Sequence, residues 1–194
     1  MIDLTARYND FAVYLPALQK SYALATAKAT KPKNRPFPKG INMRDLDFLN
    51  PKSRLWHYGY ALYSAGQFTS SVPIGCSVEL CRDNPNNTHT TILGDSGGYQ
   101  IGKGTLKGMD GFKDNALKPD VICRKWRSSG DIRKWIVNWL EANSHYAMTI
   151  DMPLWAKDAS NSETPFHHCS IEQLIDLSVE NLKYIKKYQK GNTK

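Results

Sequence analysis

No stretch of the chain approaches the roughly 20 apolar residues that a membrane-spanning helix requires. The opening Met1-Ile-Asp-Leu-Thr-Ala-Arg7 lacks the basic, apolar and small-residue succession of a secretory signal. Cysteine is scarce: Cys76, Cys81, Cys123 and Cys169 do not make a disulfide framework in 194 residues, and no Cys-x-x-Cys is present. There is no internal repeat and no long low-complexity run. These absences argue against a membrane span, a disulfide scaffold and a solenoid, and they make a cytoplasmic setting with reduced thiols the default expectation. Acidic residues are in deficit, with 18 Asp and Glu against 26 Lys and Arg, a net charge of +8. A basic balance favours a polyanionic partner, because each neutralised phosphate releases counterions. It says nothing about the fold.

What is present suffices for one domain with a core, at 41% apolar residues in 194. Residues 9–30 read as a helix with Pro16 in an early position and Leu15, Leu18, Tyr22 and Ala25 on one face. Lys31-Pro-Lys-Asn-Arg-Pro-Phe-Pro-Lys-Gly40 reads as an extended basic arm, so residues 1–40 form an N-terminal helix and arm ahead of a main domain over 41–194. Residues 56–63, 74–80 and 89–94 are strand candidates, with a turn at Asp83-Asn-Pro-Asn-Asn87. If 74–80 is a strand, the odd spacing of Cys76 and Cys81 points them to opposite faces.

The glycines at 102, 104, 108 and 111 break any periodicity, and 101–130 reads as irregular. Ser128-Ser-Gly-Asp131 then offers helix caps to a run with Ile132, Trp135, Ile136, Trp139 and Leu140 at helical spacing. A strand over Tyr146–Ile150 delivers Asp151 and is stopped by Pro153. Ser170 and Gln173 form a capping box opening a helix with the stripe Ile171, Leu174, Ile175, Leu182 and Ile185. Strands alternating with amphipathic helices predict an α/β fold. Two of those strands end in an aspartate, the place where a parallel α/β barrel carries its active site.

Asp95-Ser-Gly-Gly-Tyr-Gln100 follows the apolar strand Thr90-Thr-Ile-Leu-Gly94. Two readings are open. Asp95 can cap the following backbone while the glycines supply positive φ, which is ordinary turn chemistry. Alternatively, the glycines let backbone approach a flat ligand, Tyr99 offers a ring for stacking, and Gln100 both donates and accepts.

Asp-Ser-Gly-Gly-Tyr/Phe-Gln after an apolar strand resembles the signature of the tRNA-guanine transglycosylases, and Thr149-Ile-Asp151-Met-Pro153 resembles their second motif. The segment Leu49-Asn-Pro-Lys-Ser-Arg-Leu-Trp-His-Tyr-Gly-Tyr-Ala-Leu-Tyr-Ser-Ala-Gly-Gln67 looks closer to the phage and bacterial branch that inserts 7-deazaguanines into DNA. The resemblance covers roughly residues 45–190. It implies a (β/α)8 barrel of which this chain is the N-terminal portion, and a base exchange on DNA, with tRNA as the alternative substrate. By the same resemblance Asp95 acts as general acid/base. Ser96, Gly97, Gly98 and Gln100 shape the pocket, Tyr99 stacks on the base, and Asp151 reads the guanine N1–H and 2-amino group. That last role is also sound chemistry, since a carboxylate presents two acceptors to two adjacent donors.

The family's covalent nucleophile, an aspartate, and its zinc site of three Cys and one His belong to later segments, which the resemblance places beyond Lys194. The expectation is therefore a chain with no cofactor of its own, with free guanine or 7-deazaguanine as ligand and a second chain that completes the barrel; the alternative is that this chain is a non-catalytic nucleic-acid-binding subunit paired with a catalytic one. His167-His-Cys169 reads as a loop without metal, since three adjacent residues do not converge on one ion. Cys169 with a histidine partner is the competing nucleophile reading. Two basic stretches remain: Lys28, Lys31, Lys33, Arg35 and Lys39 in the arm, and Lys183, Lys186, Lys187 and Lys190 at helical spacing. Each is either a solvated surface or a set of backbone-phosphate contacts. Trp126, Trp135 and Trp139 read as core.

Overall fold

The computed structural model describes residues 12–28, 37–68, 90–112, 117–191 and 193–194. The expected strand over 74–80, the turn at 83–87, Cys76, Cys81, Lys31, Lys33 and Arg35 lie outside these residues, as does the side chain of Lys28.

The described chain is mixed α/β. Strands β1 (Ala17–Leu18), β2 (Tyr60–Ser64), β3 (Thr91–Asp95) and β4 (Tyr146–Ala147) form one parallel sheet in the order β1-β2-β3-β4. Every neighbouring pair is parallel, with Leu62 opposite Leu93 and Ser64 opposite Asp95. The helices are α1 (Lys20–Lys28), α2 (Gly98–Gly102), α3 (Pro119–Ser128), α4 (Gly130–Asn143) and α5 (Ile171–Tyr188). Lys194 also lies along β4. Its N–H donates to the His145 carbonyl and its own carbonyl accepts from Ala147 N–H, the pattern of a parallel pair opposite Tyr146.

Several expectations need correction. The helix expected over 9–30 begins only at Lys20, and Ala17–Leu18 is a strand whose pairing extends back to the Pro16 carbonyl, which accepts from Leu62 N–H. Pro16 disfavours helical backbone at Leu15, so the chain enters extended and meets a strand edge. The aromatic strand is confined to Tyr60–Ser64, because Trp56 and Tyr58 turn aside to pack on Phe48, with ring centroids 5.0 and 6.4 Å away. The span 101–130 is not irregular throughout. Pro119 starts α3 at its first turn, and Ile122, Cys123 and Trp126 bury one side of it. Ser129 takes the N-cap position of α4, but neither its hydroxyl nor that of Ser128 caps the helix; they donate back to the Trp126 and Lys125 carbonyls. The strand expected over 146–150 is two residues long.

The capping box of Ser170 and Gln173 is present at the start of α5. Of the expected stripe, Leu174 is buried and Ile185 packs partly against the core, whereas Ile171, Ile175 and Leu182 are 48%, 51% and 47% exposed; the buried face is Leu174, Leu177 and Asn181. Counting apolar residues alone missed that a polar one, Asn181, is as fully buried as Leu174 and Leu177. Its Oδ1 accepts from Trp126 Nε1 at 3.0 Å and its Nδ2 donates to the Ile150 carbonyl at 2.9 Å, so α3, α5 and the segment after β4 meet on one amide. Gln173 and Glu180 turn the same helix toward Asp120 and Arg127 of α3. The opposite flank carries Ile171, Ile175, Val179 and Leu182 in the open.

The core gathers between sheet and helices around Trp126, Trp139, Phe68 and Phe166, all essentially inaccessible, with Phe68 stacked on Trp139 at 4.9 Å. Trp126 and Trp139 are core as expected, and Trp135 is half-buried. Helix α4 lies directly on β3 at Gly94, where a methyl group would stand 2.1 Å from Ser144 Oγ.

Replacing Asn181 by Leu keeps the branched outline of the side chain with more bulk and strands the Trp126 N–H and the Ile150 carbonyl. An unsatisfied buried group costs about 1–3 kcal/mol, so Asn181→Leu should destabilise the fold by roughly 2–5 kcal/mol in urea titration. An unchanged midpoint would refute the role given to this amide.

Candidate functional site

The sheet ends β2 and β3 at adjacent positions, Ser64 beside Asp95. Both chains then turn, and the two turns touch backbone to backbone. A methyl at Gly97 would stand 2.6 Å from Gly66 Cα, and one at Gly66 would stand 2.6 Å from Gln100 Oε1. Gly97 adopts φ 91°, a left-handed conformation that costs other residues about 1–2 kcal/mol. Asp95 Oδ2 accepts the Gly97 N–H at 3.2 Å, so the ordinary turn chemistry expected of Asp-Ser-Gly-Gly is in place.

The same turn leaves polar atoms buried and unmatched. Ser96 is wholly inaccessible, and its Oγ, the Ser64 Oγ and Gln100 Oε1 have no hydrogen-bond partner among the described residues. Buried polar atoms in folded proteins are nearly always satisfied, by water or a ligand where protein does not serve. Gln100 thus points its carbonyl inward against Gly66.

Asp151 lies four residues past the end of β4 rather than at it. The backbone on either side of it is held by α5: the Ile150 carbonyl accepts from Asn181, and Met152 N–H donates to Ser178 Oγ at 2.9 Å. Asp151 itself is exposed, and its two carboxylate oxygens stand 3.6 and 3.8 Å from the point a Cβ would occupy on Gly98. Asp151 and the Asp95–Gln100 segment therefore meet on one side of the sheet.

One turn further along, the post-β4 segment covers the bare side of α2 again. A methyl at Gly102 would stand 2.6 Å from Trp155 Cζ2 and 2.8 Å from Pro153 Cγ. Tyr99 is 62% exposed and stacks on Trp155 with centroids 5.5 Å apart and planes 29° apart. Lys103 Nζ lies 5.5 Å from the Trp155 ring and donates to Asn161 Oδ1, while Asn161 Nδ2 donates to the Trp155 carbonyl. Sequence reasoning missed Ser64, Gly66, Gly102, Trp155, Ser178 and Asn181. Only Trp155 left a signal, as an aromatic shortly after Asp151-Met-Pro.

The lysines are placed differently. Lys183, Lys186 and Lys187 are exposed on α5, but Lys190 falls after the helix ends at Tyr188, so the four do not share one helical face. They run from beyond Asn181 toward the end of α5, where Lys190 N–H donates to Glu141 Oε1 near the start of β4. The structure does not bring them to Asp95 and Asp151. In the arm, Lys39 is exposed.

Cys169 is wholly buried and its thiol is pushed up to about 12, first by that burial and then by the neighbouring Cys123. Cys123 is buried and raised for the same first reason. A thiol so held is not a thiolate at neutral pH, which argues against the nucleophile reading of Cys169. His167 Nδ1 lies 3.2 Å from the Ala156 carbonyl. Among the described residues no three His, Cys, Asp or Glu side chains converge as metal ligands.

No protein-family model matches the chain, and no curated protein or solved structure is significantly similar to it.

Burial makes a testable statement about the two thiols. Iodoacetamide at pH 8, read peptide by peptide in a mass spectrometer, should label Cys123 and Cys169 roughly a hundredfold more slowly than after denaturation. Equal rates in native and unfolded protein would contradict their placement.

Proposed function

We propose that this chain carries the base-recognition part of a guanine/7-deazaguanine exchange enzyme acting on DNA, within the first portion of a (β/α)8 barrel. The observation that carries the reading is the approach of the Asp151 carboxylate to Gly98, which sets a two-acceptor edge beside the exposed Tyr99 ring and the Asp95 turn. Sequential parallel strand order is also what a barrel of this type requires.

Guanine would lie with its N1–H and 2-amino group on Asp151 and a face on Tyr99. Adenine lacks that donor pair and would be rejected, because the carboxylate would be left unmatched. Gly98 puts no side chain between α2 and the Asp151 carboxylate, Gly97 lets the turn pack on Gly66, and the unmatched Ser96 Oγ and Gln100 Oε1 supply buried polarity at the end of β3. Asp95 would exchange a proton with the departing and incoming base. Exchange breaks the bond from sugar C1′ to the base, holds C1′ on a nucleophile, and re-forms the bond to the new base. In the family resembled the nucleophile is a further aspartate at a later strand end, and no step here is routed through a metal. The target base must leave the helical stack to reach Asp151.

A second reading is a base-binding subunit that works with another chain. It is favoured by the exposed flank of α5, with Ile171, Ile175, Val179 and Leu182 turned away from α3.

Asp151→Asn tests the main reading. It replaces one acceptor with a donor that opposes the base's own donors, at about 1–3 kcal/mol, so guanine affinity by calorimetry should fall roughly tenfold or more. Unaltered affinity would mean the pocket lies elsewhere.

The lysines give a separate prediction. DNA affinity should fall steeply with salt, and replacing Lys183, Lys186, Lys187 and Lys190 together with Ala should reduce the log–log slope by about 0.9 for each phosphate that is no longer neutralised. An unchanged slope would mark them as solvated surface only. Tighter binding of tRNA than of DNA in the same titration would move the substrate to RNA.

A further inference from the structure

We infer that Trp155 is a positioning residue, resting on the base-binding reading above, and that it sets the separation between the Asp151 carboxylate and the Tyr99 ring. Asp151 and Trp155 belong to one short segment, and Gly98, Tyr99 and Gly102 belong to one helix, α2. The segment touches the helix twice. Asp151 meets it at Gly98, 3.6 Å from the Cβ position, and Trp155 meets it at Tyr99 and Gly102, with the indole edge 2.6 Å from where a Gly102 methyl would be. Gly98 and Gly102 are four apart, so they stand one above the other on the same side of the helix.

The indole is itself fixed from several directions. Tyr99 lies on it, Lys103 Nζ stands 5.5 Å from its centroid, and the Trp155 carbonyl accepts from Asn161, which also accepts from Lys103. With Tyr99 and Lys103 both on its ring, Trp155 serves as a wall behind Tyr99. It leaves Tyr99, 62% exposed, as the ring that a planar ligand can reach. A planar base must stack on Tyr99 and present its edge to Asp151 at once, so the spacing of the two groups decides whether both contacts form together. Trp155 fixes that spacing because it is bonded in sequence to the Asp151 segment and packed on the Tyr99 helix.

The experiment compares guanine with hypoxanthine, which keeps N1–H and lacks the 2-amino group, in the full chain by calorimetry. Thermal unfolding is measured alongside. The unmodified protein should prefer guanine by about tenfold, the worth of one satisfied buried donor. Trp155→Leu should reduce that preference to about threefold or less, because a shifted Asp151 no longer meets the 2-amino group. Trp155→Phe, which restores a flat ring, should recover most of it. Gly102→Ala, which keeps the indole in the sequence but sets a methyl 2.6 Å from it and 2.8 Å from Pro153, pushes ring and segment off α2 and should act like Trp155→Leu.

A merely structural role would lower the affinity for both bases by the same factor. That result, or an unchanged ratio in both Trp155→Leu and Gly102→Ala, overturns the positioning role and leaves the base-binding reading standing. If the unmodified protein shows no preference between the two bases, the base-binding reading itself fails and this inference fails with it.

Discussion

One amide holds the described fold and the candidate site to each other. Asn181 is buried in the middle of α5, where an unpaired polar group is costly. Its orientation is dictated by its partners. An indole can only donate and a carbonyl can only accept, so Oδ1 faces Trp126 and Nδ2 faces Ile150. The first bond ties α5 to α3, and the second fixes the residue immediately before Asp151. Ser178, one turn earlier, takes the N–H immediately after it. An exposed carboxylate on a non-strand segment would ordinarily sample many positions. This one is pinned on both sides by a helix whose own capping box defines its start.

The parts legible in the sequence share a property: they are local. The capping box, the apolar run into Asp95 and the helical spacing of Ile136, Trp139 and Leu140 follow from neighbours in the chain, and each is found in the fold. Where tertiary contact decides, the pattern misled. Ala17 and Leu18 have helical surroundings but find an open strand edge. The apolar positions of α5 suggested its inner face, yet Asn181 goes inside and Ile175 stays out, because two partners waited for the amide. Helix α3 was hidden by the glycines before it, although Pro119 marked its start. The site was half readable. Asp95, Tyr99 and Asp151 stood out by type and place, but Trp155 and Gly102 acquire meaning only when two distant segments cross.

Among the described residues, the lysines of α5 are separated from the candidate site. The lysines of α5 lead away from Asp95 and Asp151, toward the part of α4 that precedes β4. A basic surface need not border the chemistry it serves, since phosphate contacts set register and orientation while a single displaced base does the reading. The candidate site itself carries Asp95 and Asp151 on one side and Lys103, at Trp155, on the other. Its two carboxylates are set among glycines, aromatic rings and buried neutral oxygens.

The meeting of Gly66 and Gly97 has a mechanical consequence. Two loops from adjacent strands usually slide past one another on cushions of side chain. Here main chain rests on main chain, with the Gln100 amide wedged against the same spot. Such a joint has no compliant layer, so the two strand ends behave as one rigid body. A displacement at Gln100 is passed to Gly66 and from there into β2, whose residues are hydrogen-bonded to β1. Occupancy at the Asp95 turn would in this way be felt on the neighbouring strand, as altered protection of the Leu62 amide where β2 bonds to the Pro16 carbonyl, without any moving lid.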